Sequence, residues 1–290
     1  MDPTARLADA LEQLLERLDP VLPPATAAPD WDASVAFRWR HRNGHGYLEP
    51  IDHPQELRLG NLRNIDRQRD ELQRNTRQFL AGLPANNALL WGSRGTGKSS
   101  LVKALLTEHA GEGLRIIEVD AHHLVDLPDI VALLHDRPER FVIFCDDLSF
   151  EADDASYKAL KAVLDGSLAA APANVLVYAT SNRRHLLPEY MADNEQARNV
   201  DGEIHHGEAV EERISLSERF GLWLSFYPFD QQRYLDICFA WLETLGADTR
   251  DEEAVRAEAL RYALARGSRS GRVAWQFARD HAGRTALGGE

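Results

Sequence analysis

The sequence predicts a three-layer α/β fold on a parallel sheet, with a C-terminal helical lid and a small N-terminal element. Three observations carry this expectation. Short apolar runs alternate with helical patterns from Ala88 to Phe226, as in parallel strands joined by crossover helices. A complete G-x-x-x-x-G-K-S loop, Gly92 to Ser99, sits where the first of those runs hands over to an apolar-periodic helix. After Pro228 the pattern becomes wholly helical.

Composition sets the outer bounds. The 290 residues suggest about two domains, and hydrophobic and charged fractions of 44% and 27% suit a soluble globular chain. No run approaches the roughly 18 apolar residues of a membrane span. Met1 to Asp19 alternates acids and leucines instead of forming an export signal, so a cytoplasmic protein without a membrane partner is expected. The two cysteines, Cys145 and Cys238, fall within apolar patterns and support neither a disulfide framework nor a thiolate metal site. A net charge of −13 argues against a whole-surface nucleic-acid sink and favours a protein client over a nucleic acid. Lysine occurs only at Lys98, Lys103, Lys158 and Lys161, all near the expected nucleotide machinery.

Along the chain, Leu7, Leu11, Leu14, Leu15 and Leu18 share one helical face after a Thr4 cap, and Pro20, Pro23 and Pro24 end it. Residues 23–29 read as a linker. Ser34 to Trp39, a turn at Asn43-Gly44, and a second strand through Leu48 form a hairpin, assigned with the first helix to an accessory element, 1–54, outside the core. The core spans 55–228: a helix from Asp66 to Leu80, then strands at Ala88–Trp91, Leu114–Val119, Phe141–Cys145, Val175–Ala179 and Gly221–Phe226, with a helix near Tyr157–Leu164. The lid, 229–290, holds helices near Tyr234–Leu245, Glu252–Ala265 and Val273–Arg279. Residues 188–212, polar and acid-rich, read as a long solvated loop.

The chemistry begins in Gly92-Ser93-Arg94-Gly95-Thr96-Gly97-Lys98-Ser99-Ser100. Its glycines let backbone N–H groups curl around a triphosphate, and the next helix adds a favourable dipole. Lys98 neutralises β- and γ-phosphate oxygens, and Ser99 joins the Mg²⁺ shell. About fifty residues on, a strand ends in Asp146-Asp147, where Asp146 suits Mg²⁺ and Asp147 suits activation of water. Glu is the commoner residue at the second position. The shorter Asp147 leaves Glu151 as an alternative base. Tyr178-Ala179-Thr180-Ser181-Asn182 ends another strand, and Asn182 there can orient the water and sense the γ-phosphate.

The order of phosphate loop, Asp-Asp strand, strand-end Asn, Arg219-Phe220-Gly221 and helical lid resembles the AAA+ ATPases. More narrowly, Phe141–Phe150 (FVIFCDDLSF), Tyr178–Pro188 (YATSNRRHLLP) and Ser215–Phe229 (SLSERFGLWLSFYPF) resemble a bacterial family of predicted AAA+ ATP-binding proteins of unknown function. The likeness spans roughly Phe37 to Phe277. It implies ATP and Mg²⁺, and a homo-oligomer assembled with ATP, a hexamer being one form. It implies that Arg219 is an arginine finger reaching a neighbouring subunit's site and that Arg272, with Arg269 in reserve, senses phosphate from the lid. It also implies that Ile65 packs on the adenine. No aromatic pore loop of the unfoldase type is present.

Weaker signals have plainer readings. Phe37 to Arg42 interleaves arginines with aromatics, which suits base stacking, but strand alternation favours aromatics packed in and arginines solvated. His205-His206 reads as an exposed pair, and His122-His123 follows a strand and can face the nucleotide. The expected function is ATP hydrolysis that drives remodelling of a macromolecular partner. The rivals are an ATP-gated adaptor or loader that hydrolyses poorly and, less favoured, a small-molecule kinase.

Overall fold

The computed structural model describes residues 29–42, 44–150, 155–165, 172–183, 198–200, 203–205 and 216–288. The N-terminal helix expected at Thr4–Leu18 lies outside them, as do Glu151, Arg184, His185 and His206.

One seven-stranded sheet organises the chain. Its strands are β1 (Ala36–Arg42), β2 (His45–Pro50), β3 (Ala88–Gly92), β4 (Leu114–Glu118), β5 (Arg140–Cys145), β6 (Val175–Ser181) and, after a short antiparallel ribbon of β7 (Arg198–Val200) and β8 (Glu203–His205), β9 (Leu222–Phe226). The order across the sheet is β2-β1-β4-β5-β6-β3-β9, and every pairing is parallel except the β1–β2 hairpin. Two expectations are thereby corrected. The hairpin is not an accessory outside the core: Ala36, Phe37 and Arg38 pair with Ile116, Ile117 and Glu118 of β4, and Phe37 and Trp39 enter the core with Phe141 and Ile143. Within 188–212, the short β7–β8 ribbon replaces part of the expected loop.

Helices cover both faces. On one side lie α1 (Asp66–Leu80) and α2 (Lys98–His109), and on the other α3 (Leu127–Leu134) and α4 (Ala155–Asp165). The sequence of β5 shows why both faces are needed. Val142 and Phe144 enter the core with α1 and α2, while Phe141, Ile143 and Cys145 enter the core with α3 and α4. Such an uninterrupted apolar run is the signature of a strand buried on both sides. The sequence reading passes over α3, which follows a 3-10 segment at Ala121–Asp126. Its eight residues are fewer than the 10–12 that periodicity resolves well.

The hairpin's aromatics follow the plain reading. Phe37 and Trp39 are buried, whereas Arg38 pairs with Glu118 and Arg40 with Glu49.

The lid comprises α5 (Gln231–Thr244), α6 (Glu252–Ala265) and α7 (Gly271–Leu287). Asp230, Asp251 and Ser270 cap them, each side chain accepting from the backbone N–H three residues on. Tyr234, fully buried, donates to the Ala259 carbonyl at 3.2 Å and ties α5 to α6. No helix among the described residues is long and apolar enough to cross a membrane.

Candidate functional site

Parallel topology gathers the strand ends. β6 lies between β5 and β3, so Asn182 stands between the aspartate pair and the phosphate loop. A cleft of about 750 Å³ opens there, within the roughly 300–1,000 Å³ typical of ligand pockets. Its lining includes Arg94 to Ser100, Asp146, Asp147, Asn182, Ile65 and Arg272.

The loop is held from below and above. Gly92 has φ +130°, and a Cβ there would lie 1.9 Å from the Phe226 carbonyl oxygen. That oxygen accepts from the Ser93 N–H at 3.0 Å, so the loop leaves β3 in contact with the end of β9. The Thr96 hydroxyl donates to the Ser93 carbonyl at 2.8 Å. On the open side the start of α7 rests against the loop. The Arg272 N–H donates to the Gly95 carbonyl at 3.3 Å, which brings a lid arginine to the cleft.

Lys98 is only 6% exposed. Its Nζ donates to the carbonyls of Gly92 and Ser93, both at 2.8 Å, and to Asn182 Oδ1 at 3.1 Å. Burial pushes its pKa down, opposed by the charges of Asp147 and Asp146 and reinforced by Arg94 and Arg272. The three Lys98 N–H donors are all taken, so an incoming phosphate would replace one of these acceptors. The Asn182 amide continues the chain, donating through Nδ2 to Asp147 Oδ1. Its orientation follows from chemistry, because the reverse would set NH₂ against an ammonium and C=O against a carboxylate.

Asp146 Oδ1 accepts from the Ser99 hydroxyl and from the Thr180 hydroxyl, both at 2.6 Å. Thr180 Oγ1 also accepts from the Asp147 N–H at 2.9 Å, and the Thr180 carbonyl accepts from the Leu148 N–H at 2.7 Å. These bonds hold Asp147 at φ +53°, a left-handed conformation that Asp tolerates better than most residues. The sequence reading gave Thr180 no role. A signal was available: Thr180 and Asn182 are two residues apart on a strand end, so they share a face.

The expected residues do not all converge. Ile65 is buried beside the loop, its Cδ1 3.4 Å from where a Gly97 Cβ would lie. Arg219 is not in the cleft lining and makes an ion pair with Asp165 at the end of α4. Arg269 is exposed and also outside the lining. His123 does not face the cleft and lies instead beside His41 and Asp126. Residues that sequence reasoning passed over include Trp241 and Trp275, whose rings meet at 4.6 Å in the cleft wall. Both belong to lid helices, where a tryptophan reads as ordinary packing.

These residues suit a magnesium nucleotide. The donor set at Ser99, Asp146 and Thr180 is all oxygen, which matches a hard divalent cation, and Lys98 lies beside the loop whose amides would cradle phosphate.

The structure is similar to solved proteins of low identity. The Holliday junction branch migration motor RuvB of Thermotoga maritima is 17% identical with a TM-score of 0.50, over 74% of this chain and 60% of that one. A DNA replication initiation factor is 16% identical with a TM-score of 0.47, over 81% and 64%. The replication initiator DnaA, solved with AMPPCP and single-stranded DNA, is 16% identical with a TM-score of 0.45, over 71% and 58%. This chain thus spans about 60% of the RuvB chain. No curated protein matches the sequence. The fold is that of the AAA+ P-loop NTPases. The family model described as "Protein of unknown function (DUF815)" matches residues 32–285, and the chain belongs to that family.

Proposed function

We propose that the protein binds ATP with Mg²⁺ in the cleft and hydrolyses the β–γ bond to drive conformational change in a macromolecular partner. The observation that carries this reading is the continuous chain Lys98–Asn182–Asp147, which links a phosphate-binding ammonium to a carboxylate through one amide. Arg94 to Ser100 cradle the phosphates through backbone N–H groups. Ser99 and Asp146 would hold Mg²⁺, which would supply neutralisation of phosphate charge. Asp147 takes a proton from water as the water oxygen bonds to the γ-phosphorus and the bridging bond to the β-phosphate breaks. Asn182 turns the Asp147 carboxylate toward that water. Arg272 stabilises the transferred charge from the lid, Ile65 packs on the adenine, and Arg219 acts across a subunit interface after exchanging Asp165 for the neighbour's phosphate.

A finger in trans makes turnover depend on assembly, so specific activity should rise with protein concentration. A homo-oligomer follows from the same reading. The preference for a protein client rests on the acidic balance alone, and the site geometry adds nothing to it.

The adaptor reading has one favouring observation: Asp147, one methylene shorter than Glu, is bound to Asn182. The deciding experiment is ATP turnover by the natural chain beside Asp147→Asn and Lys98→Ala. We expect measurable hydrolysis lowered at least about 100-fold by Lys98→Ala and, with nucleotide binding intact, abolished by Asp147→Asn. Slow turnover unchanged by either substitution would favour the adaptor.

A further inference from the structure

At the hairpin end of the sheet a second cluster gathers that the nucleotide site does not use. β1 runs parallel to β4, so its last residues lie on the same carboxyl edge as the cleft. By strand spacing they stand about 10 Å from β5. His41 near the end of β1 and His123 and Asp126 from the segment after β4 bring their ligand atoms within 4.8 Å of one another. His41 Nε2 is 2.7 Å and His123 Nδ1 3.9 Å from Asp126 Oδ2. The two rings are tilted by 43°, with centroids 4.4 Å apart.

A further contact supports the arrangement. Asp126 ends the 3-10 segment that runs into α3, and its side chain makes no cap hydrogen bond. Its Oδ2 accepts from the indole N–H of buried Trp39 at 2.9 Å and is hydrogen-bonded to His41 Nε2 at 2.7 Å. A hydrogen bond that fixes a carboxylate opposite imidazoles is the usual support of a metal ligand.

We propose that His41, His123 and Asp126 form a binding site for a divalent transition metal of the zinc class, with an open fourth position. Zinc bonds of about 2.0–2.2 Å in tetrahedral geometry put ligand atoms about 3.3 Å apart, and the separations of 2.7 and 3.9 Å bracket that value. With all three ligand atoms within 4.8 Å of one another, side-chain shifts of about 1.5 Å or less would close the set. Two imidazoles select against Mg²⁺, which separates this site from the oxygen-lined cleft. Bound metal would tie the hairpin to the segment following β4.

The test uses the full chain, without a histidine tag, stripped by a chelator and titrated with Co²⁺ and then Zn²⁺ while the cobalt absorption spectrum is followed. We expect one Co²⁺ per chain, displaced by Zn²⁺ and not by excess Mg²⁺. His41→Ala and His123→Ala should each weaken binding more than about 100-fold, and Trp39→Phe, which removes the supporting N–H together with part of a buried ring, about 10-fold. His41→Gln and His123→Gln, with melting curves run metal-free, separate loss of ligand from loss of fold. Absence of a cobalt spectrum in the natural chain would overturn the proposal. So would binding that survives His123→Gln, or binding abolished by the double change His205→Ala and His206→Ala.

Discussion

At the centre of the sheet Asp146 accepts two hydroxyl hydrogen bonds close to the buried Lys98 ammonium. At the hairpin end Asp126 accepts an indole N–H beside two imidazoles. Both carboxylates stand at the carboxyl edge of one sheet, and the fold supplies each with a hydrogen-bonded support. The partners differ: hydroxyls and an ammonium suit magnesium and phosphate, whereas imidazoles suit softer cations. Chemistry at this edge is thus set by what each strand's neighbours contribute, not by the edge itself.

The largest expected separation of the two clusters comes from Lys98→Ala. Removing a charged donor from the phosphates should lower turnover about 10²–10³-fold, while the cobalt titration stays unchanged. A parallel loss of cobalt binding would show that the clusters are coupled. Thr180→Val should act next. It leaves the shape but removes the hydroxyl that donates to Asp146 and accepts from the Asp147 N–H. The cost is about 1–3 kcal/mol for a backbone donor left without its partner, read as a lower melting temperature, and turnover should fall with it. Thr180→Ser should recover most of both. If Thr180→Val melts with the natural chain, the aspartates are ordered by something other than this hydroxyl.

The central cluster was legible because its residues are close in sequence or end apolar strands. Gly92 to Ser99 is one contiguous motif, and Asp146, Asp147 and Asn182 each close a run whose end parallel topology must bring to one edge. Thr180 was missed because a strand-end threonine reads as β-propensity rather than chemistry. The edge cluster could not be assembled from spacing. His41 and Asp126 are 85 positions apart and meet only because β1 joins β4, a pairing hidden while the hairpin read as a separate element. Arg219 shows the opposite limit: it pairs with Asp165 outside the cleft, and the role proposed for it across an interface would leave no mark within one chain.

The smallest effect sharpens the edge cluster through a glycine. Gly46 stands opposite His41 in the hairpin register, and a Cβ there would lie 1.9 Å from Trp39 Cζ2. The obstacle is the benzo ring of the buried Trp39 indole and not, as at Gly92, a backbone carbonyl, so the shift of one core side chain can relieve it where the phosphate loop could not. Gly46→Ala should therefore fold, at a cost of about 1–3 kcal/mol for overpacking. The shift should draw the indole N–H away from Asp126 and weaken cobalt binding about 10-fold, as loss of an orienting partner does. Turnover in the cleft, two strands away, should not change. Cobalt affinity unaltered by a substitution that measurably lowers the melting temperature would mean that Trp39 packs the hairpin without orienting the carboxylate.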